Sequence, residues 1–204
     1  MAFRSSERRG TPSDLLVIGL GNPGRDYARS RHNVGAEVVD RLARSHGTTL
    51  KAGKERSLAA EITVAGHRVA LAFPTTFMND SGVAAQLLVR RYGIEDIATV
   101  IVVHDELDLA PGIVRVKVGG GLAGHNGLRS IVQHLKTQDF VRVRIGVGKP
   151  PSKEQGANHV LSKMSKSERT LLDESVVTAS DAVEVIAEFG VDEAMRRYNV
   201  KTAT

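Results

Sequence analysis

The chain has 204 residues, 41% of them hydrophobic and 25% charged, the balance of one compact globular domain rather than of a disordered, collagenous or coiled-coil protein. Cysteine is absent, which excludes disulfides, iron–sulfur clusters, thiolate metal sites and a cysteine nucleophile. The net charge of +5 is unevenly spread: residues 111–166 hold ten basic and two acidic side chains, net +8, a block that suits an anionic partner such as a phosphodiester backbone.

The polar first twelve residues read as a flexible extension, with residues 13–204 as a single domain. The apolar run at 15–21 falls well short of the roughly 18 residues a membrane helix needs, so a cytoplasmic protein with no membrane contact is expected. Bounded by glycine, that run fits a buried strand. Val34, Val38, Val39 and Leu42 then recur at helical spacing, with Asn33 placed to cap the helix and Gly47 to stop it. Residues 61–73 alternate apolar and polar about Ala65-Gly66, the pattern of a hairpin. A helix is expected over 80–92, a strand over 98–103, and a strand over 112–118 that puts Arg115 and Lys117 on one face. A helix over Asn126–Leu135, a strand over 140–147 with Arg142 and Arg144 on one side, and helices over 167–190 and 192–198 complete the chain. Alternating strands and helices predict an α/β domain with a twisted, mixed and mostly parallel sheet flanked by helices, of phosphorylase/hydrolase-like type.

Gly19-Leu-Gly-Asn-Pro-Gly24 has the G-x-G-x-x-G spacing of dinucleotide-binding turns. There the third glycine opens the helix, whereas here the helix starts near Asn33, so the glycines read instead as a turn presenting Asn22 at a strand's carboxyl end. His32 lies at the entry to that helix, and His104-Asp-Glu-Leu-Asp108 follows a second apolar strand. An aspartate there can hold one nitrogen of an imidazole while the other takes a proton from water, and Asp105 is the candidate. Glu106 and Asp108 read as turn-capping acids. His32, His104, His125 and Asp105 are also potential metal ligands, but no H-E-x-x-H or H-x-H pattern accompanies them, so neither metal nor cofactor is expected. Asn22, Asn79 and Asn126 all fall on loops at strand ends, where amide donors suit a peptide or an oxyanion, although Asn79 and Asn126 are equally placed to cap helices. Phe77 and Met78 suit either the core or a cleft. No G-x-S-x-G elbow occurs, so water is the expected attacking group.

Five strings, VIGLGNPGRDYARSRHNVG, PTTFMNDSG, VVHDELDLAPG, GGGLAGHNGL and FVRVRIGVGKP, together resemble the bacterial peptidyl-tRNA hydrolase family over nearly the whole chain. The resemblance implies a monomer without metal or cofactor that hydrolyses the ester between a peptide and the ribose of tRNA and so recycles stalled peptidyl-tRNA. By the same resemblance His32 is the proton acceptor, Asp105 its supporting carboxylate, and Asn22 a catalytic-site residue that separates N-blocked from free aminoacyl groups. Tyr27, Phe77, Asn79 and Asn126 are implied contacts to substrate or tRNA, Met78 a lining of the peptide crevice, and Arg115, Lys117 and Arg144 neighbours of the tRNA phosphates at the acceptor stem and 3′ end. Three departures from the family pattern, the long N-terminus, Arg115 where lysine is also common, and Lys149, touch no catalytic position. The competing readings are a noncatalytic RNA-binding module of the same fold, a nicotinamide-dependent oxidoreductase and a metal-assisted hydrolase.

Overall fold

The computed structural model describes residues 11–150, 152 and 156–200; most of the expected N-terminal extension therefore lies outside the described residues. Seven strands, β1 (Leu15–Gly19), β2 (Lys51–Ala52), β3 (Ser57–Val64), β4 (His67–Pro74), β5 (Val100–Glu106), β6 (Val114–Val118) and β7 (Val141–Gly146), form one sheet in the order β2-β3-β4-β1-β5-β7-β6. The four central strands are parallel to one another, and the flanking pairs β2–β3, β3–β4 and β6–β7 are antiparallel. Helices α1 (Val34–Ser45), α5 (Lys166–Phe189) and α6 (Val191–Tyr198) bury their apolar stripes on one face. Helices α2 (Ser81–Arg91) and α3 (Asn126–Leu135) cover the other, and the short α4 (Gly156–Leu161) packs near the turn that carries His32. No helix among the described residues is long and apolar enough to cross a membrane.

The expected elements are present, with shifts at their ends. The hairpin turns at Ala65 and Gly66, both at positive φ, the geometry of a two-residue type I′ turn. The strand expected at 98–103 starts at Val100, because 97–99 form a 3₁₀ turn capped by the Asp96 side chain. Asn33 precedes α1 as expected, yet its side chain caps nothing there: it accepts from the Asn22 N–H and donates to the Asn22 carbonyl, both at 2.8 Å. The amide that looked like a helix cap is a buried staple across the glycine turn. Strand β2 and helix α4, of two and six residues, are too short for a periodic signal.

What brings the first helix to the end of the sheet is the absence of two side chains. A Cβ on Gly35 would lie 2.2 Å from the Val103 carbonyl oxygen, and one on Gly19 would lie 2.1 Å from the Gly35 carbonyl oxygen. With only hydrogens there, α1 sits directly on β1 and β5, and the chain locks through Leu20 N–H to Val103 O and Ala36 N–H to Leu20 O, both 3.0 Å. Packing any side chain into contacts this short forces backbone displacement. Gly35→Ala is expected to cost about 1–3 kcal/mol and to lower Tm by about 2–12 °C, measured by calorimetry; an unchanged Tm would refute the close approach.

Candidate active site

Because parallel strands end together, the carboxyl ends of β1 and β5 open onto one crevice. There the 3₁₀ turn Arg31–Asn33 brings His32 over Asp105, the penultimate residue of β5. His32 Nδ1 lies 2.9 Å from Asp105 Oδ1, and His125 Nε2 lies 3.0 Å from the same oxygen. The two imidazoles face each other with ring centroids 5.0 Å apart. All three line a cleft of about 1020 Å³, which also takes in Asn22, Phe77, Met78, Asn79 and Asn126. Its far wall is apolar, with Leu107, Leu122, Val160 and Leu161.

The hydrogen bonds assign the protons. His125 Nδ1 accepts from the backbone N–H groups of Gly127 and Leu128, at 3.1 and 3.4 Å, and so caps α3. Its proton therefore resides on Nε2 and is donated to Asp105. A carboxylate only accepts, so His32 likewise donates from Nδ1, which leaves its Nε2 as the basic atom. Burial alone would raise the Asp105 carboxyl pKa, but the imidazoles of His125 and His32 and the hydrogen bonds they give outweigh it and hold the group below the ordinary carboxylate range. Asp105 is thus anionic at neutral pH.

His104, the residue before Asp105, is wholly enclosed and donates from Nδ1 to the Asp105 carbonyl at 2.7 Å. Its ring stands edge-on to His125 with centroids 5.0 Å apart, and its Nε2 meets no partner among the described residues. Burial, reinforced by His125, depresses its pKa to about 3. His104 is a neutral spacer that braces both the aspartate backbone and the second imidazole.

Asn22 is anchored at three points. Its backbone is stapled by Asn33, and its Oδ1 accepts from the Met78 N–H at 2.8 Å, so only the Nδ2 donor remains for the cleft. Helix capping does not explain Asn79 or Asn126: α2 has no side-chain cap bond and the α3 cap is His125. Both asparagines are exposed at the cleft. Met78 is buried and Phe77 is 56% exposed, so of this adjacent pair one builds the floor and the other offers a free aromatic face. Glu106 Oε1 accepts from the Asp108 N–H at 3.2 Å, the turn-capping role expected of it.

The other site residues expected from sequence do not line this cleft. Tyr27 is half-buried in the turns after Gly24. Lys117, Arg115 and Arg144 share a face of β6 and β7 beside it, where Arg115 is paired in register with Arg144 and Lys117 with Arg142. Arg115 donates to the Tyr198 carbonyl at 2.6 Å, at the C-terminal end of α6 where a cation is favoured; it holds the last helix as much as it faces solvent. Sequence reasoning missed the roles of His125 and of Arg31. His125 was visible as an unusual residue at a helix start. Arg31 is 6% exposed and donates to the His159 carbonyl at 2.8 Å and to Glu168 at 2.6 Å, partners more than 120 residues away that no local pattern announces.

The ligand atoms of His32, Asp105 and His125 all lie within 4.8 Å of one another. Separations of 2.9 and 3.0 Å to a single shared oxygen are hydrogen-bond distances, and one imidazole nitrogen of His125 is already occupied by the helix cap. The donor set is that of a hydrogen-bonded triad rather than of ligands opened around an ion.

A parallel-centred sheet with an oriented imidazole–carboxylate pair at its carboxyl edge defines an α/β enzyme equipped for general-base chemistry. Residues 16–204 match the family model described as peptidyl-tRNA hydrolase, and the chain belongs to that family. It is 47% identical to a peptidyl-tRNA hydrolase of Rubrobacter xylanophilus and 44% identical to one of Chloroflexus aggregans, in each case over 90% of this chain and at least 98% of the relative. The crystal structure of peptidyl-tRNA hydrolase from Acinetobacter baumannii superposes with a TM-score of 0.87 at 40% identity, covering 95% of this chain and 99% of that one. A purine nucleoside phosphorylase from Toxoplasma gondii shares the fold alone, with a TM-score of 0.51 at 8% identity.

Because His104 stays neutral in the folded protein, the unfolded chain binds a proton between about pH 6.5 and pH 3 that the folded chain refuses, so its contribution to stability is complete above pH 6.5 and is lost as pH falls through that window. Between pH 6 and 4.5 wild type should therefore lose about 1–2 kcal/mol more unfolding free energy than His104→Asn, read from urea titrations; parallel losses would show that His104 is not held neutral.

Proposed function

We propose that this chain hydrolyses peptidyl-tRNA, with His32 as general base and water as nucleophile. The observation that carries this reading is the 2.9 Å hydrogen bond from His32 Nδ1 to Asp105, which leaves Nε2 free to take a proton from water as it attacks the ester carbonyl. Charge then develops on the carbonyl oxygen, and the Asn22 Nδ2 donor with the exposed amides of Asn79 and Asn126 supplies hydrogen bonds to it. Collapse of the tetrahedral intermediate expels the ribose oxygen, to which the His32 imidazolium returns the proton. Asp105 stabilises that imidazolium and remains ionised throughout. Proton transfer of this kind is worth about 10²- to 10⁴-fold and one oxyanion donor about 10²- to 10³-fold.

Selectivity follows from the same cleft. An N-blocked group presents a neutral amide that Asn22 and its neighbours can hydrogen-bond, whereas free aminoacyl-tRNA would bring an ammonium that must be desolvated beside amide donors that cannot pair with it. In this reading the peptide occupies the apolar cleft, and the acceptor stem and 3′ end lie along the face that bears Lys117, Arg144 and Arg115. The enzyme acts as a cytoplasmic monomer.

In the presence of a chelator, wild type is expected to release N-acetylated amino acid from tRNA at full rate, and His32→Ala to lose about 10²-fold or more in kcat with little change in KM. No turnover by wild type would favour an RNA-binding module, loss of activity on chelation a metal-assisted hydrolase, and an unchanged kcat in His32→Ala a different base. Asp105→Asn, which keeps an acceptor but removes the charge, should also lose about 10²-fold in kcat. Equal cleavage of blocked and free aminoacyl-tRNA would refute the account of selectivity.

A further inference from the structure

Helix α4 supplies Gly156, Val160 and Leu161 to the cleft, yet it stands apart from the rest of the fold. It is six residues long, too short to hold its shape alone, and none of its described residues belongs to either apolar layer of the sheet. Among the described residues, two hydrogen bonds tie α4 to the body, and both meet at His159. Its Nε2 donates to the Val147 carbonyl at 3.2 Å, and its own carbonyl accepts from Arg31 Nη1 at 2.8 Å. That carbonyl lies in the last turn of the helix, where backbone acceptors lack intrahelical partners and a cation is favoured.

Arg31 is buried, and its guanidinium spans two helices. While Nη1 serves α4 and also reaches Ser162 Oγ at 3.3 Å, Nη2 donates to Glu168 Oε1 at 2.6 Å in the first turn of α5. The other Glu168 oxygen accepts from the Ser165 backbone N–H at 3.0 Å and from its hydroxyl at 2.9 Å, which closes the capping box of α5. Arg31, and after it the Ser165 groups, hold the Glu168 carboxyl down to about 2, so the pair is ionised at neutral pH. One planar guanidinium thus grips the end of α4 and the start of α5 at once, which the single nitrogen of a lysine cannot do. Arg31 also directly precedes His32 in the 3₁₀ turn. The turn that brings the base to Asp105 carries, one residue earlier, the bond that holds the far wall of the cleft.

We propose that Arg31 is a positioning residue for peptide recognition: by joining α4 to α5 from the turn that carries the base, it sets the apolar wall of Val160 and Leu161 at a fixed distance from His32. It touches no substrate and acts through α4. That a peptide lies along this wall rests on the hydrolase reading above, whereas the latch itself rests on the geometry of residues 31, 159 and 168. On this account a single N-acetylated residue ends near the cleft asparagines, and only a longer chain reaches α4. The latch therefore acts on peptide length. A wall that wanders offers the longer chain less apolar contact, while the base, held separately by Asp105 at 2.9 Å, keeps its place.

The test compares two substrates on the same tRNA with the same esterified residue, one carrying an N-acetyl group and the other an N-acetyl-dileucyl extension. Arg31→Met keeps the length of the side chain and removes its donors. In that variant kcat/KM on the longer substrate is expected to fall about tenfold further than on the shorter one, through KM rather than kcat, and Arg31→Lys to restore part of the difference. Equal losses on both substrates, or a loss confined to kcat, would make Arg31 a structural contact and overturn the proposal. Backbone amide exchange of the full chain checks the latch without turnover. The Val160 and Ser162 amides should exchange about tenfold faster in Arg31→Met, beyond any change in those of β5, and an acceleration no larger than that of β5 overturns the latch. Should Arg31→Met not fold, Glu168→Gln, which removes the charge behind the Nη2 bond, is expected to shift the same substrate ratio by about threefold; an unmoved ratio there is equally decisive against it. If wild type cleaves neither substrate while the α4 amides still respond to Arg31→Met, the hydrolase reading fails and the latch stands.

Discussion

One carboxylate oxygen organises this molecule's chemistry. Asp105 Oδ1 receives hydrogen bonds from two imidazoles, at 2.9 and 3.0 Å, while being almost fully enclosed. The two imidazoles and the hydrogen bonds they give outweigh burial and keep this carboxylate charged, and a kept charge orients both rings. Each ring then does a different job with its second nitrogen. His125 caps a helix with it, so the helix that follows carries Asn126 at its first position. His32 has no such obligation and is left basic. Two histidines with identical intrinsic chemistry are thus placed differently by what each touches on the far side of its ring: one nitrogen of His125 is committed to the helix, and Nε2 of His32 is left open to the cleft.

That convergence depends on the backbone coming unusually close. The His32 turn can reach Asp105 because Gly19 and Gly35 let the first helix lie against the strands without intervening side chains. Asn33 then staples the glycine turn so that Asn22 projects its amide from the same edge. The apolar layers on both faces of the sheet supply the bulk of the stability, and they also fix where the parallel strands end. The chemistry sits on those ends and adds little to the core.

Much of this was readable from residues in order. The central strands, the hairpin and the long helices follow from apolar period and glycine position, and the placement of His32, Asp105 and the asparagines 22, 79 and 126 at strand ends follows from the topology those elements imply. What stayed illegible shares one physical trait: the partner is remote in sequence and polar. Asn33 looks like a helix cap until Asn22 folds onto it. Arg31 carries no periodic signal, and its partners at the end of α4 lie more than 120 residues away in sequence. His125 stands one residue before the asparagine that sequence places at the helix start, and both its cap and its contact with Asp105 exist only in three dimensions. Periodicity reports which face is apolar, and it carries no information about which buried polar atoms meet.

The charge distribution shows the same limit more sharply. The net +8 of residues 111–166 suggests a broad cationic surface, yet the structure spends part of that charge internally. Arg142 is buried on two carbonyls, Arg115 is directed to the end of the last helix, and Arg144 lies 3.9 Å from Glu106. Lys149 faces Asp108 at 3.0 Å, while Lys117 has no carboxylate partner among the described residues. A sequence count therefore overstates how many cations are free at the surface: Arg142 is enclosed, and its donors are spent on the carbonyls of Gly120 and Gly121.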